Sequence, residues 1–497
     1  MNSSNLIKRI VAAMLAGIIM LGIFACADNK KAPGNETAGE TEPGTEKLYA
    51  DDLPETMDFG GQKIRFITFQ QNKDTRSIDI KEGEQDTGDI INESIWKRNQ
   101  AIEERLGIDI SLEKETGMNN LAPAIDKMIK ANDDEYDIVV GHARFDIQLA
   151  SNGYLKNLSK LPNVDFTKPY WSQMYMSEIA YKNVNYWSTG DITLGYISTI
   201  YCMFVNSKVW NDIYSDQTVY DLVNSGAWTL DKLRELSVGA YSDLNGDSVA
   251  DEKDCFGFAM QQGHVLNGMA FASGVQYNNR DNEGNIIITV NSEHTIDVFN
   301  KLYELFFNSG NATLLLANDK YDNTALAMFV DDRLLFFPST FGTSENEKMR
   351  AMETDFYIIP LPKYDDAQPK YVVNQYDGVP LYGVPITVSP ANLETIGATM
   401  EALASMSSTM VTPVYYDLAL KNKYSRDEQS AAMLDLIHDS ITTNFVFTWG
   451  DQVGGMLNLF YDNIKNAKFA SVLAKYTKTW DKGLEKLITK LEKYVDM

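Results

Sequence analysis

The sequence predicts an α/β fold divided between more than one domain. Three observations lead there. The 497-residue chain is too long for one hydrophobic core and has the length for two or three. Its composition, 44% hydrophobic and 23% charged, is that of a globular protein. From residue 62 onward, β-rich and helix-patterned segments alternate, the signature of a parallel sheet with right-handed crossovers.

The elements follow in order. Residues 62–69 (QKIRFITF) alternate and are β-rich, a first strand. Residues 89–106 carry Ile91, Ile95, Ile102 and Leu106 near helical spacing, with Gly107 where a C-cap belongs. A second strand covers 108–112 (IDISL). A second amphipathic helix covers 119–131, with Leu121, Ile125, Met128 and Ile129 on one face. Residues 136–140 (YDIVV) read as a strand buried on both faces. Near the C-terminus, 467–495 carries Leu473, Trp480, Leu484, Leu487 and Leu491 at helical spacing, a helix or helix pair clasping the body.

The N-terminus speaks to compartment. Lys8 and Arg9 precede an apolar run over 10–24, shorter than the roughly 20 residues a membrane-spanning helix needs. Ala25-Cys26 follows at once and resembles a bacterial lipobox, which implies cleavage before Cys26 and diacylation of its sulfur. Residues 1–25 are then a signal peptide. Residues 26–58, rich in Gly, Thr, Glu and Pro, are a flexible tether with too little apolar surface to fold alone. The expected location is the outer face of a cell membrane, held there by lipid only. Cys202 and Cys255 remain, open to one disulfide or to two buried thiols. No CxxC suggests a zinc or redox site.

Charge excludes one class of partner. Acidic residues outnumber basic ones 69 to 44, a formal net charge of −25. Such a chain repels nucleic acid, whose binding relies on Lys and Arg neutralising phosphates.

Several segments resemble family 1 extracellular solute-binding proteins, the maltose-binding-protein-like subunits of bacterial ABC importers. They are INESIWKRNQAIEERLGIDI, YDIVVGHARFDIQLASNGYLKNLSKLP, NVNYWSTGDITLGYISTIYCMFVNSKVW, GAWTLDKLRELS, ALAMFVDDRLLFF, DFYIIPLPK and YGVPITVSPAN, in the family's order over about residues 60–497. The resemblance implies a two-lobed periplasmic-binding-protein type II fold whose lobes close on a ligand about a hinge. It implies a first lobe over 59–190 and 331–384 and a second over 191–330 and 385–497. Crossings are expected near Gly190-Asp191, Pro338-Ser339 and Gly383-Pro385. The implied partners are a carbohydrate or another polar solute and the ABC permease subunits, with the protein acting as a monomer.

Ligands of open α/β sheets sit outside the carboxyl ends of strands. Sugars offer CH faces to aromatic rings and hydroxyls to carboxylates and amides. Placement near strand ends and crossings nominates Arg144, Trp187, Asp191, Phe341, Asp377, Tyr382, Trp449 and Asp451 as cleft residues. Trp171, Trp210 and Trp228 are expected in the core.

One motif stands apart. Residues 243–254 (DLNGDSVADEKD) match an EF-hand-type calcium loop, with Asp243, Asn245, Asp247, Val249, Asp251 and Asp254 at its ligand positions. Ser248 replaces the usual turn glycine, and Asp254 the usual bidentate Glu. A structural calcium ion is expected, against the alternative of an acidic surface turn.

Catalysis has little support. The chain lacks HExxH, GxSxG, a Walker loop and a dinucleotide fingerprint, and its four histidines show no metal-ligand spacing. The expected function is extracellular capture of an oligosaccharide for import, not an enzymatic reaction. A surface adhesion or sensing protein is the alternative, and a secreted glycosidase a weaker one, since paired carboxylates distant in sequence carry no local signature.

Overall fold

In a computed structural model of the chain, local sequence sets the first long helix. Helix α1 spans Ile90–Leu106. The Asp89 carboxylate caps it, accepting the Ile91 and Asn92 amides at 2.9 and 3.2 Å. Gly107 ends it in the left-handed region at φ 59°. A Cβ there would lie 2.0 Å from the Asp58 carboxylate, so glycine is required twice over. Ile91, Ile95, Ile102 and Leu106 are all fully buried, each worth about 1.5–3 kcal/mol of transfer free energy.

The structure describes residues 50–70, 80, 89–317, 323–423 and 428–495. The expected signal segment, Cys26 and residues 27–49 of the expected tether lie outside the described residues. Residues 50–58 are no tether, because Asp51 pairs with Arg105 at 2.6 Å and Leu53 is buried in the apolar core. The chain from Leu48 on forms one compact unit. Among the described residues no helix is long and apolar enough to cross a membrane.

Two sheets organise this unit. The first has the order β11-β3-β1-β2. Strands β1 (Gln62–Gln70), β2 (Ile108–Gly117) and β3 (Ile138–His142) are parallel, joined through α1 and α2 (Leu121–Lys130). Strand β11 (Pro380–Gly383) lies antiparallel against β3, with Pro380 opposite His142. Both faces are covered. Ile64, Phe66, Ile138 and Val140 pack in one apolar cluster, and Ile67, Phe69 and Val139 in the other.

The second sheet has the order β10-β4-β9-β5-β8. It comprises β4 (Tyr201–Asn206), β5 (Phe256–Gln261), β8 (Thr313–Leu316), β9 (Leu334–Thr340) and β10 (Phe356–Ile359). Strand β4 runs antiparallel to both neighbours, while β5 is parallel to β8 and β9. In each sheet the reversed strand is therefore one that follows a passage from the other lobe.

These pairings correct the expected boundaries. Residues 331–384 do not belong wholly to the first lobe, because β9 and β10 both pair with β4 and only β11 returns to the first sheet. Pro338-Ser339 is no crossing; Pro338 sits within β9 opposite Met203. Nor do residues 385–497 all join the second lobe, since the helix Leu393–Met410 packs on α1. The first crossing runs from Ser188, still paired with Tyr382, to β4. The second passes through Asn374, Gln375 and Tyr376 to β11. The two are hydrogen bonded together, Tyr201 N–H to the Asn374 carbonyl at 3.1 Å and Tyr376 N–H to the Thr199 carbonyl at 2.7 Å.

At the first crossing Gly190 has φ 143°, and a Cβ would fall 2.4 Å from the Tyr170 carbonyl oxygen. The last helix, Phe469–Glu492, reaches both lobes. Phe469 stacks at 3.8 Å on Phe299, while beyond the helix Tyr186 donates to the Tyr494 carbonyl at 2.8 Å. Trp171, Trp210 and Trp228 are core residues, as expected. Cys202 and Cys255 are both free thiols.

Candidate functional site

The carboxyl ends of β3 and β5, one from each sheet, converge on a polar cluster. Strand β3 ends at His142 and turns into the short helix α3 (Ala143–Asp146). The turn is locked from several sides. The Asp146 carboxylate accepts the His142 amide at 2.8 Å, and His142 Nδ1 accepts the Arg144 amide at 3.2 Å. The Ala143 and Arg144 amides also donate to the carbonyls of Val379 and Asp377, both at 3.0 Å. This lattice aims Arg144. Its Nη1 donates to Asp377 Oδ2 at 3.1 Å and its Nε to Asp451 Oδ2 at 2.9 Å.

The second lobe contributes His264, three residues past the end of β5. Its Nδ1 lies 3.7 Å from Asp377 Oδ2. Its ring stacks on Tyr461 with centroids 5.7 Å apart and meets the edge of Tyr376 at the same distance. Gln262 Nε2 donates to the Tyr461 carbonyl at 3.3 Å.

Electrostatics in this cluster run against anions. Burial disfavours the Arg144 charge, but Asp451 and Asp377 outweigh it and raise its pKa above the usual arginine value. Burial lowers the His142 pKa to about 4, with Asp377 pulling the other way, so the ring is neutral at neutral pH. Since Nδ1 accepts a hydrogen bond, the proton sits on Nε2. One guanidinium thus faces two carboxylates, and both take up its charge. The arrangement offers charged hydrogen-bonding groups beside two tyrosine rings, which suits a neutral polyhydroxylated ligand.

Comparison with solved structures bears on the fold. The galacto-N-biose/lacto-N-biose I-binding protein of a Bifidobacterium longum ABC transporter superposes with a TM-score of 0.57, at 12% identity, over 86% of this chain and 98% of that one. An ABC transporter solute-binding protein from Thermotoga lettingae, bound with α-D-tagatose, gives 0.54 at 13% identity, over 86% and 100%. UgpB from Mycobacterium tuberculosis, in complex with glycerophosphocholine, gives 0.52 at 14% identity, over 81% and 95%. The fold is that of a two-lobed, type II periplasmic binding protein. No family model matches the sequence, and no curated protein matches it.

In this fold the facing strand ends form the interlobe cleft, and the sequence-nominated residues divide around it. Arg144, Asp377 and Asp451 come together there. Trp187 does not; it is buried under Gly141 and Gly383, with Nε1 donating to the Ile147 carbonyl at 3.3 Å. Tyr382 is fully buried in β11 opposite Val140. Trp449 is buried against Phe445 and donates to the Ile179 carbonyl at 3.2 Å. Phe341 is buried against Tyr415 and Tyr416. All four aromatics are buried in packing contacts, with Trp187 and Tyr382 beside the first crossing, where Ser188 pairs with Tyr382. Asp191 accepts the Thr412 hydroxyl at 3.3 Å, away from Arg144, and burial pushes its pKa up to about 6.

His264, Tyr376 and Tyr461 were not nominated from sequence. Two of them carried a usable signal. His264 follows β5 as closely as Arg144 follows β3, and Tyr376 adjoins Asp377.

The calcium-type loop over 243–254 folds as a compact turn. Asp243 accepts the Gly246 and Ser248 amides at 2.7 and 2.9 Å, and Asn245 and Asp247 accept those of Asp247 and Val249. Ser248, standing where glycine is usual, takes φ 63°. Asp254 is fully buried and accepts the Leu244 amide at 3.1 Å, while Asp251 pairs with Lys253. Among the described residues no group of three or more His, Cys, Asp or Glu side chains is placed to hold a metal ion.

Proposed function

We propose that this protein captures a neutral carbohydrate, an oligosaccharide, in the interlobe cleft and delivers it to the permease subunits of an ABC importer. The observation that carries the reading is Arg144 held between Asp377 and Asp451 at the facing strand ends, with His264 and Tyr461 opposite. Carboxylates fixed by arginine are preorganised acceptors for sugar hydroxyls, and tyrosine rings take their CH faces. Two of the similar solved proteins are named for, or bound with, sugars, which supports the same class. The function needs no catalytic group, only higher affinity for ligand in the closed form.

The remaining expectations complete the proposal. Cys26 carries the lipid that holds a monomer on the outer membrane face, at the end of the tether. The 243–254 loop takes a structural calcium ion through Asp243, Asn245, Asp247, the Val249 carbonyl, Asp251 and Asp254, once its carboxylates turn from the amides they now accept.

A thermal-shift screen tests the central reading. A ligand bound only by the folded protein raises its melting temperature. Mono- and oligosaccharides are expected to raise it, and to raise it less in Arg144→Ala. Shifts with anionic solutes and none with neutral sugars would sink the carbohydrate assignment.

A further inference from the structure

Helix α4 (Gln173–Ile179) and the hairpin of β6 (Asn278–Arg280) and β7 (Ile286–Ile288) face each other across a cavity of about 780 Å³. Its walls come from both lobes. Trp171 and Gln173 stand on the first-lobe side, Gln276 and Asn279 on the second. Asp191 from the first crossing and residues 438–444 close it. Arg144, Asp377, His264 and Asp451 do not line it.

An inter-lobe clamp frames this space. Arg280 Nη2 donates to the carbonyls of Ser177, Glu178 and Ala180 at 3.2, 3.1 and 3.0 Å. These are the end carbonyls of α4, where the helix dipole favours a cation. The guanidinium also lies 5.7 Å from the Phe445 ring centroid.

The wall chemistry selects a ligand class. Volumes of about 300–1,000 Å³ are those of small-molecule sites. Acidic and basic side chains line it together, Asp191, Glu178 and Asp439 beside Arg280 and Lys370, so no single-sign field awaits an ion. Burial raises the pKa of both Asp191 and Glu178, which suits a neutral partner. Amides and hydroxyls supply the rest of the polar lining. Asn444 adds a buried Oδ1 with no donor, its Nδ2 being committed to the Asn278 carbonyl at 3.1 Å.

We propose that this cavity is a second binding site, for a neutral saccharide or polyol, assembled only while the lobes hold the orientation seen here. The inference does not depend on what the cleft binds. A ligand walled in by both lobes favours this orientation, so it changes cleft affinity by the factor by which a cleft ligand changes its own.

Saturation-transfer NMR on the full chain, with maltose and sorbitol as probes, tests the proposal. Arg144→Ala disables the cleft, and Asn279→Trp or Gln276→Trp, both at exposed positions, plugs the cavity. At least one probe is expected to remain saturated in Arg144→Ala, to lose saturation when either tryptophan is added, and to keep it with Asn279→Ser. No saturation in Arg144→Ala, or saturation indifferent to both plugs, overturns the second site. Binding that Arg144→Ala abolishes and the plugs leave alone also overturns it, while leaving the cleft reading intact.

Discussion

Arg144 and Asp451 stand 307 positions apart in the chain, and their side chains meet at 2.9 Å. The same guanidinium holds Asp377, whose side chain is almost fully buried. Arg144→Ala strands that carboxylate without its cation. Breaking a buried pair by removing one partner costs about 3–5 kcal/mol. Asp451 is a third exposed, so its share of the loss is small. Urea denaturation should show a loss near the lower bound. Isothermal titration with a sugar ligand should show affinity falling by more than about 2 kcal/mol, roughly thirtyfold. Unchanged affinity in a folded variant would place the ligand elsewhere.

The Asp146 and His142 pair predicts a pH signature. Burial raises Asp146 to about 7, so the folded state keeps a proton the unfolded state has lost, and stability falls as pH rises from about 4 to 7. Burial lowers His142 to about 4, so the unfolded state protonates first, and stability is lost as pH falls from about 6.5 to 4. The two slopes oppose each other. Asp146→Asn removes the first and should leave stability, measured by denaturant midpoint, climbing more steeply from pH 4 to 6.5 than in the wild type. An unaltered profile would mean that Asp146 is ionised in the folded protein.

Gly190→Ala should weaken the hinge. The added Cβ meets the Tyr170 carbonyl at 2.4 Å in a backbone region that side chains avoid. Strain of this kind costs about 1–3 kcal/mol. Calorimetry should show a lower melting temperature; an equal one would show that the crossing relaxes freely.

Calcium should raise the melting temperature relative to chelator, and Asp243→Ala should abolish the difference. Equal melting curves with and without calcium would leave 243–254 as a surface turn.

Cys26→Ser tests the anchor. In detergent phase partition of the cell-expressed protein, the wild type is expected with detergent and the variant in the aqueous phase. Aqueous wild type would remove the lipid.

The first lobe's β1-α1-β2-α2-β3 run was legible in its order and with Gly107 as a cap, because hydrophobic period and capping chemistry are local, although β2 runs on to Gly117 and β3 to His142. Lobe membership was not. Strands β9 and β10 have the same apolar character whichever sheet takes them, and only pairing with β4 decides. In the site, three of the four nominated charged residues were legible, Asp191 lying apart, and the aromatics were not. A charge that close to a strand end must find partners, and Arg144 found Asp377 and Asp451. An aromatic ring near a crossing serves packing as readily as binding, and Trp187, Phe341, Tyr382 and Trp449 went to packing.

Strand β11 gives the chain a late step in its own assembly. Pro380 pairs with His142, so the first sheet stays unfinished until all five strands of the second sheet have been synthesised. Contacts so distant in sequence slow folding. A fragment ending before residue 380 presents β3 as a bare edge, with unpaired amides and carbonyls beside the apolar Val139 and Val140. Such an edge recruits strands from other chains. Truncated products should therefore accumulate as aggregates, not as free first lobes.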